Sequence, residues 1–246
     1  MKICIKDLKK TFNEKTAVDV LHLEISNGDI LGLVGNNGAG KTTLFRLILD
    51  LLKADSGNVV MTFDTPMDTD SVATEDINPA ESETWKKFTG AYIDEGFLID
   101  FLTPEEFFGF IGKTNNMSDE EIKARLEDFA QFMNGEIMGQ KKYIREFSAG
   151  NKQKIGIIAA MLNKPQLLIL DEPFNFLDPS SQNVLKKEIT DYNKETGATI
   201  LISSHNLQHT TDISTRIALL EHGQIIKDMQ GENSDFEKEL EDYFQV

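Results

Sequence analysis

The strongest constraint on this chain is a glycine-rich segment that follows a short apolar run and precedes a helical pattern. The segment fits the motif G-x-x-x-x-G-K-T and reads Gly35-Asn36-Asn37-Gly38-Ala39-Gly40-Lys41-Thr42. Glycines let the backbone wrap closely around a ligand, so that successive N–H groups point inward at phosphate oxygens. The helix that should begin near Lys41 adds the positive end of its dipole. The motif therefore predicts a phosphate loop that binds a nucleoside triphosphate.

Two side chains of this loop are expected to bind the nucleotide and its metal ion directly. Lys41 is expected to reach the β- and γ-phosphates, and the Thr42 hydroxyl is expected to bind the Mg²⁺ ion that bridges them. Thr43 follows directly and is included among the predicted nucleotide-binding residues. The loop thus predicts both a nucleotide and a Mg²⁺ ion.

A second apolar strand ends in two adjacent carboxylates. Four aliphatic residues at positions 167–170 precede Asp171 and Glu172. Carboxyl ends of parallel strands meet in one crevice, and successive residues point to opposite sides, so the two acids can do different work. Asp171 suits coordination of Mg²⁺, and Glu172 suits polarising an attacking water. An isolated acidic pair is usually a solvated loop or a helix cap, but the buried strand and the phosphate loop favour the catalytic interpretation.

The charge balance excludes several kinds of partner. The 246 residues include 25 Lys and Arg against 41 Asp and Glu, a formal net charge of −16. Nucleic acids and anionic membrane surfaces would repel such a chain, so neither is expected as a direct partner. No apolar run approaches the roughly 18 residues that span a bilayer, so no direct membrane insertion is expected. A single cysteine, Cys4, allows no internal disulfide, and the cytoplasm is the default compartment.

Strand-like and helical patterns alternate and predict an α/β fold with a largely parallel sheet. Strands are expected near residues 3–8, 17–25, 30–34, 167–171, 199–203 and 216–220. Residues 103–145 differ, because they are helix-rich and contain capping boxes that begin at Thr103 and Ser118. Residues 62–84 hold seven acidic and no basic residues, and are expected to form a solvated loop or mobile insertion. A second acidic segment is the C-terminal tail, residues 231–246.

A serine-glycine segment lies between the two phosphate-site motifs and reads Phe147-Ser148-Ala149-Gly150-Asn151. It resembles the Leu-Ser-Gly-Gly-Gln signature of ABC transporter ATPases, with Ser148 and Gly150 kept and the other three positions changed. Such changes resemble those in drug and antibiotic exporters of the family. Ser148 is expected to cap a helix, whose first free N–H groups form an anion site. The resemblance implies that this site serves the ATP of a neighbouring subunit.

Later segments extend the resemblance over nearly the whole chain. Asp178, followed by Pro179, is similar to the D-loop aspartate that communicates between two nucleotide sites, and it is also a good helix start. His205 follows another buried strand and resembles the switch histidine that contacts the γ-phosphate. The remaining histidines are interpreted as ordinary surface or core residues: His22, His209 and His222.

Two further family positions are occupied by less usual residues. Glu95, with Asp94 one register away, stands where the resemblance implies a Q-loop glutamine, and a carboxylate there could hold Mg²⁺ or water. Phe12 resembles the aromatic residue that stacks on adenine. A phenylalanine in an N-terminal strand is otherwise a core residue, so both interpretations of Phe12 stay open.

The resemblance implies one ABC ATPase domain of the P-loop NTPase fold. Residues 1–95 and 146–230 would form the catalytic α/β core with an antiparallel β subdomain, and residues 96–145 would form an inserted helical subdomain. Two such subunits, identical or different, would sandwich two ATP molecules. A separate transmembrane permease subunit, contacted by residues 95–145, would hold them at the inner face of the cell membrane.

The implied activity is Mg-dependent ATP hydrolysis that drives a transporter, with export favoured by the signature segment. Closure of the ATP-bound dimer would move the permease, and hydrolysis would reopen it. A second function stays open, namely a soluble ABC ATPase outside transport, such as one in iron–sulfur cluster assembly. A phosphate-loop kinase is a weaker third interpretation, because it would need neither the signature segment nor His205.

Overall fold

The computed structural model describes residues 1–66 and 72–231, and within them ten strands form two sheets. The strands are β1 (Lys2–Phe12), β2 (Lys15–Ile25), β3 (Ile30–Val34), β4 (Ser56–Pro66), β5 (Val72–Ile77), β6 (Thr89–Tyr92), β7 (Leu167–Leu170), β8 (Thr199–Ser204), β9 (Arg216–Glu221) and β10 (Gln224–Gln230). The helices are α1 (Lys41–Ile48), α2 (Pro104–Thr114), α3 (Asp119–Asp128), α4 (Ala130–Met133), α5 (Ala149–Met161), α6 (Pro179–Thr196) and α7 (Leu207–Thr211). Short 3₁₀ helices cover Thr84–Phe88, Glu95–Phe97 and Ile144–Glu146. These elements confirm the predicted α/β class.

The larger sheet brings the predicted motifs to one edge. Its strand order in the described chain is β10-β9-β3-β8-β7-β6, and only the β9–β10 pair is antiparallel. Every residue of β3, β7 and β8 is buried, because uninterrupted apolar runs suit strands covered on both faces. The carboxyl ends of these three neighbouring strands lead into the phosphate loop, the acidic pair and His205.

Alternate residues of the buried strands face two separate hydrophobic cores. Leu168 and Leu170 of β7 belong to a core that includes residues of α2 to α6. Leu167 and Ile169 of the same strand belong to a second core, shared with α1 and the smaller sheet. This period of two is the ordinary geometry of a strand, and it places the larger sheet between two layers.

The smaller sheet is antiparallel and corrects one prediction. Its order in the described residues is β2-β1-β4-β5, so β4 and β5 pair where a loop was predicted over residues 62–84. Thr62 pairs with the exposed Asp76, whereas the neighbouring Phe63 and Ile77 are buried. The loop prediction was wrong because acidic side chains can occupy the solvent face of a strand while its other face packs on a core.

Both predicted capping boxes form in the helical segment. The Thr103 and Ser118 hydroxyls accept hydrogen bonds from the N–H groups of Glu106 and Glu121, whose carboxylates accept from the backbone N–H groups of the two capping residues. The apolar stripe of this segment is buried, as its helical spacing predicts: Ile122, Leu126, Phe129 and Met133. The exact boundaries of the subdomain at residues 96 and 145 stay a prediction.

Parts of both acidic segments lie outside the described residues, namely 67–71 and 232–246. In the described ranges, no helix combines the length and the apolarity that a membrane span needs.

Candidate nucleotide site

Glycines allow the phosphate loop to pass close to the surrounding backbone. A Cβ atom at Gly35 would lie 2.3 Å from the Leu220 carbonyl oxygen, and one at Gly40 would lie 2.3 Å from the Ala17 oxygen. Gly40 also has a φ of 112° in the cap position before α1, a region that residues with a side chain rarely adopt. The loop conformation therefore requires glycine at these positions whether or not a ligand is bound.

The loop forms one wall of a cavity of about 360 Å³. The cavity is lined by Phe12, Lys15, Ala17, residues 37–43 and Glu172. The structure thus brings the predicted aromatic residue, the loop and the predicted base together, although they are far apart in the sequence. Phe12 is 47% exposed, so its ring is available to a ligand and is not a core residue.

Lys41 is buried at the base of this cavity. Its ammonium group donates to the Gly35 carbonyl oxygen at 2.7 Å and lies 3.3 Å from Oε1 of Glu172. The lysine thus already has a carboxylate partner. A triphosphate that bound the loop would offer Lys41 a stronger anionic partner at the same place.

Asp171 and Thr42 lie in direct contact beside the loop. The Thr42 hydroxyl donates to one carboxylate oxygen of Asp171, and the Ser203 hydroxyl donates to the other. Burial raises the pKa of Asp171 and outweighs these two hydrogen bonds, which lower it. A buried carboxylate next to a hydroxyl is an oxygen donor set that suits Mg²⁺, so these residues fit the predicted ion.

Glu172 lies between two basic side chains. One carboxylate oxygen faces Lys41, and the other lies 2.8 Å from Nδ1 of His205. Its backbone has a φ of 48°, which is uncommon for a residue with a side chain. The Glu172 N–H donates to Ser203 Oγ at 2.8 Å. The Glu172 carbonyl oxygen accepts from Nε2 of Gln153 at 3.1 Å.

The predicted signature and D-loop residues do not line this cavity. Ser148 caps α5, and its hydroxyl accepts from the Asn151 N–H at 3.2 Å. A Cβ atom at Gly150 would lie 2.6 Å from the Phe176 carbonyl oxygen. Asp178 caps α6 and accepts a 2.6 Å hydrogen bond from the Ser181 hydroxyl, which lowers the pKa of Asp178. These residues form a separate surface at the starts of two helices.

Glu95 is not joined to the Thr42–Asp171 pair. Its carboxylate lies 3.2 Å from the Lys152 ammonium group, and that of Asp94 lies 2.6 Å from Arg46. In the described residues no cluster of three or more His, Cys, Asp or Glu side chains could hold a metal ion. In this structure the Glu95 carboxylate pairs with Lys152, and its role as a metal ligand stays a prediction.

Ser203 and Gln153 were missed by the sequence analysis. Ser203 lies in β8 two residues before His205. The strand order places β8 beside β7, and the Ser203 hydroxyl donates to the Asp171 carboxylate and accepts from the Glu172 N–H. Gln153 is five residues after Ser148, on a helix predicted for another role. The available signal for Ser203 was a hydroxyl directly after the apolar residues 200–202 of β8.

The comparison with protein families decides the class. A model described as ABC transporter matches residues 18–175. The chain belongs to the ABC transporter family. As an ATP-binding subunit of that family it is an ATPase, which confirms the family and the activity predicted from the motifs.

Curated relatives include both import and resistance proteins. The uncharacterized ABC transporter ATP-binding protein YhaQ of Bacillus subtilis (strain 168) is 33% identical over 90% of this chain and 69% of its own length. The methionine import ATP-binding protein MetN of Carboxydothermus hydrogenoformans is 31% identical over 92% of this chain, which spans 65% of that protein. The linearmycin resistance ATP-binding protein LnrL of Bacillus subtilis (strain 168) is 31% identical over 90% of this chain and 67% of its own length.

A solved structure shows the same fold. The dimeric structure of MJ0796, a bacterial ABC transporter cassette, superposes with a TM-score of 0.77 at 22% identity and covers 93% of this chain and 98% of that one. This ABC ATPase thus has the predicted cassette architecture.

Proposed function

We propose that this chain is the Mg-dependent ATPase of an ABC exporter, with Glu172 as the general base. The observation that carries this proposal is the position of the Glu172 carboxylate, between Lys41 and His205 at the cavity of the phosphate loop. The adenine would stack on Phe12, and the phosphates would lie against the loop N–H groups and Lys41.

Thr42 and Asp171 would hold Mg²⁺, which would offset the charge of the β- and γ-phosphates. When the phosphates bind, Lys41 would exchange its contact with Glu172 for a contact with them. Glu172 would then be free to accept a proton from the attacking water. His205 would keep the other carboxylate oxygen in place and contact the γ-phosphate.

The Glu172→Gln variant tests this assignment. It keeps the shape of the side chain but removes a base, so turnover should fall by about 100- to 10,000-fold while ATP still binds. Turnover would be measured as phosphate release at saturating Mg-ATP, and binding with a fluorescent ATP analogue. Glu83→Gln, at an exposed carboxylate that pairs with Lys86, is the control and should keep full turnover. Unchanged turnover of Glu172→Gln would refute the role of Glu172.

We also propose that two subunits enclose two ATP molecules. Ser148 and Gly150 lie on a surface separate from their own subunit's cavity, so their helix start is available to the nucleotide of a second subunit. Sedimentation of the Glu172→Gln variant should show a dimer in Mg-ATP and a monomer without nucleotide. Adding Ser148→Arg should abolish the dimer, because the long side chain would block the approach of the phosphates. A persistent dimer in the double variant would refute this arrangement.

The transmembrane partner would dock on the surface formed by the Glu95–Phe97 and Ile144–Glu146 regions. Phe101 and Tyr143 are exposed there, at 64% and 45%, and Arg145 stacks on the Tyr143 ring. Exposed aromatic side chains of this kind are typical of protein interfaces. A tagged chain purified from detergent-solubilised membranes should retain a polytopic membrane protein, and Phe101→Ser should release it. Recovery of soluble partners alone would favour the alternative, an ABC ATPase outside transport.

The export direction is supported by the signature segment and by the similarity to LnrL, whereas MetN is named for import. In vesicles with the ATPase subunits outside, external ATP should drive the transported compound into the lumen. Loss of the compound from the lumen would show import.

A further inference from the structure

The backbone of Glu172 is held from both sides by side chains of other elements. Its N–H donates to Ser203 Oγ in β8, and its carbonyl oxygen accepts from Gln153 Nε2 in α5. The same carbonyl also accepts from the Asn175 N–H at 3.2 Å. Because the residue has a φ of 48°, its conformation persists only where the surroundings stabilise it.

Gln153 is well placed to supply that stabilisation. The side chain is buried, with 6% of its surface exposed, and it lies just over one turn after the start of α5. The same helix start packs on the following loop, since a Cβ atom at Gly150 would lie 2.6 Å from the Phe176 oxygen. Residues 172–176 therefore lie across the first turns of α5.

We propose that Gln153 is a positioning residue for the hydrolytic reaction. By holding the Glu172 carbonyl it fixes the direction in which the carboxylate leaves the backbone, toward Lys41 and His205. This inference rests on the proposed role of Glu172 as the base. Besides contacting the nucleotide of a second subunit, the start of α5 would thereby control Glu172 in its own subunit, because a displacement of the helix start would change the orientation of Glu172.

A double-mutant cycle between Gln153 and Glu172 tests the proposal. Gln153→Met keeps the length of the side chain but removes the donor. We expect kcat to fall about 10-fold, equal to roughly 1.4 kcal/mol, while the affinity for ATP changes by less than about twofold. In the Glu172→Gln background the same change should lower the residual kcat by less than about twofold, because no base is left to misplace.

Matched variants separate positioning from loss of structure. Gln166→Met removes a comparable donor outside the nucleotide cavity and should leave kcat unchanged. The Gln166 Nε2 group donates to the Asp64 carbonyl oxygen, with a donor–acceptor distance of 2.9 Å. If Gln153→Met does not fold, Gln153→Asn takes its place, since the shorter amide cannot reach the carbonyl. An equal fall in kcat in both backgrounds, or no fall, would overturn the role of Gln153. Full turnover of Glu172→Gln alone would instead overturn the proposed function, and this inference with it.

Discussion

Helix α5 packs so closely on β6 that a single methyl group should destabilise the protein. A Cβ atom at Gly156 would lie 2.1 Å from the Tyr92 ring, and ordinary van der Waals contact begins near 3.4 Å. In Gly156→Ala the ring would have to retreat by about 1.3 Å. Tyr92 is almost fully buried, so this retreat disturbs the packing around it.

The size of the effect follows from two opposing terms. Overpacking of a core costs typically about 1–3 kcal/mol, and a displacement of about 1.3 Å in a buried ring belongs in the upper part of this range, about 2–3 kcal/mol. Glycine to alanine in a helix returns about 1 kcal/mol. We expect a net loss of about 1–2 kcal/mol from the Gly156→Ala variant. For a chain of 246 residues this corresponds to a fall in Tm of about 2–8 °C.

Thermal unfolding followed by circular dichroism measures this change. Gly109→Ala in α2 is the matched control, because within the described residues no atom lies within 4 Å of its added Cβ. The control should raise Tm by about 2–4 °C through helix propensity alone. Combining Gly156→Ala with Tyr92→Leu should cost less than the sum of the single changes. A Tm for Gly156→Ala at or above that of the unmodified chain would refute the packing argument.

Two further predictions concern nucleotide affinity and pH. Phe12→Ala should weaken ATP binding by about 1–3 kcal/mol, the usual contribution of a stacked base, and should leave Tm nearly unchanged. Phe110→Ala on α2 is the control and should not change the affinity for ATP. Equal affinity of Phe12→Ala and the unmodified chain would refute stacking. Burial raises the pKa of the Glu188 carboxyl, and such a group destabilises the folded state above its unfolded pKa but not below it. Glu188→Gln should therefore raise Tm at pH 7, and this increase in Tm should disappear below the unfolded pKa of the glutamate. An equal increase in Tm at both pH values would contradict the argument.

The local parts of the fold could be predicted because their signals are contained in short segments. Fully apolar strands such as β7 and the capping boxes at Thr103 and Ser118 need no distant partner to be recognised. The strands β6 and β10 were missed for the opposite reason. β6 reads Thr-Gly-Ala-Tyr, and residues of β10 alternate between exposed and half-buried, so both depend on pairing with a neighbour.

The residues of the site likewise divide into those that local sequence predicts and those whose contacts depend on distant parts of the chain. Lys41, Glu172 and His205 follow strands whose carboxyl ends meet, so their proximity was predictable from sequence. The bond from Gln153 to Glu172 depends on how α5 lies against a loop that comes later in the chain. The ion pair between Glu95 and Lys152 likewise joins elements that only the folded chain brings together.

The order β3-β8-β7 has a consequence for sequence variation. The distance between the phosphate loop and Asp171 is set by the single strand β8 that separates their two strands. It does not depend on how many residues connect β3 to β7 along the chain. That connection contains the paired strands β4 and β5 and helices α2 to α5. Insertions and deletions in β4, β5 or α2 to α4 can therefore be accommodated without moving Asp171 away from Thr42.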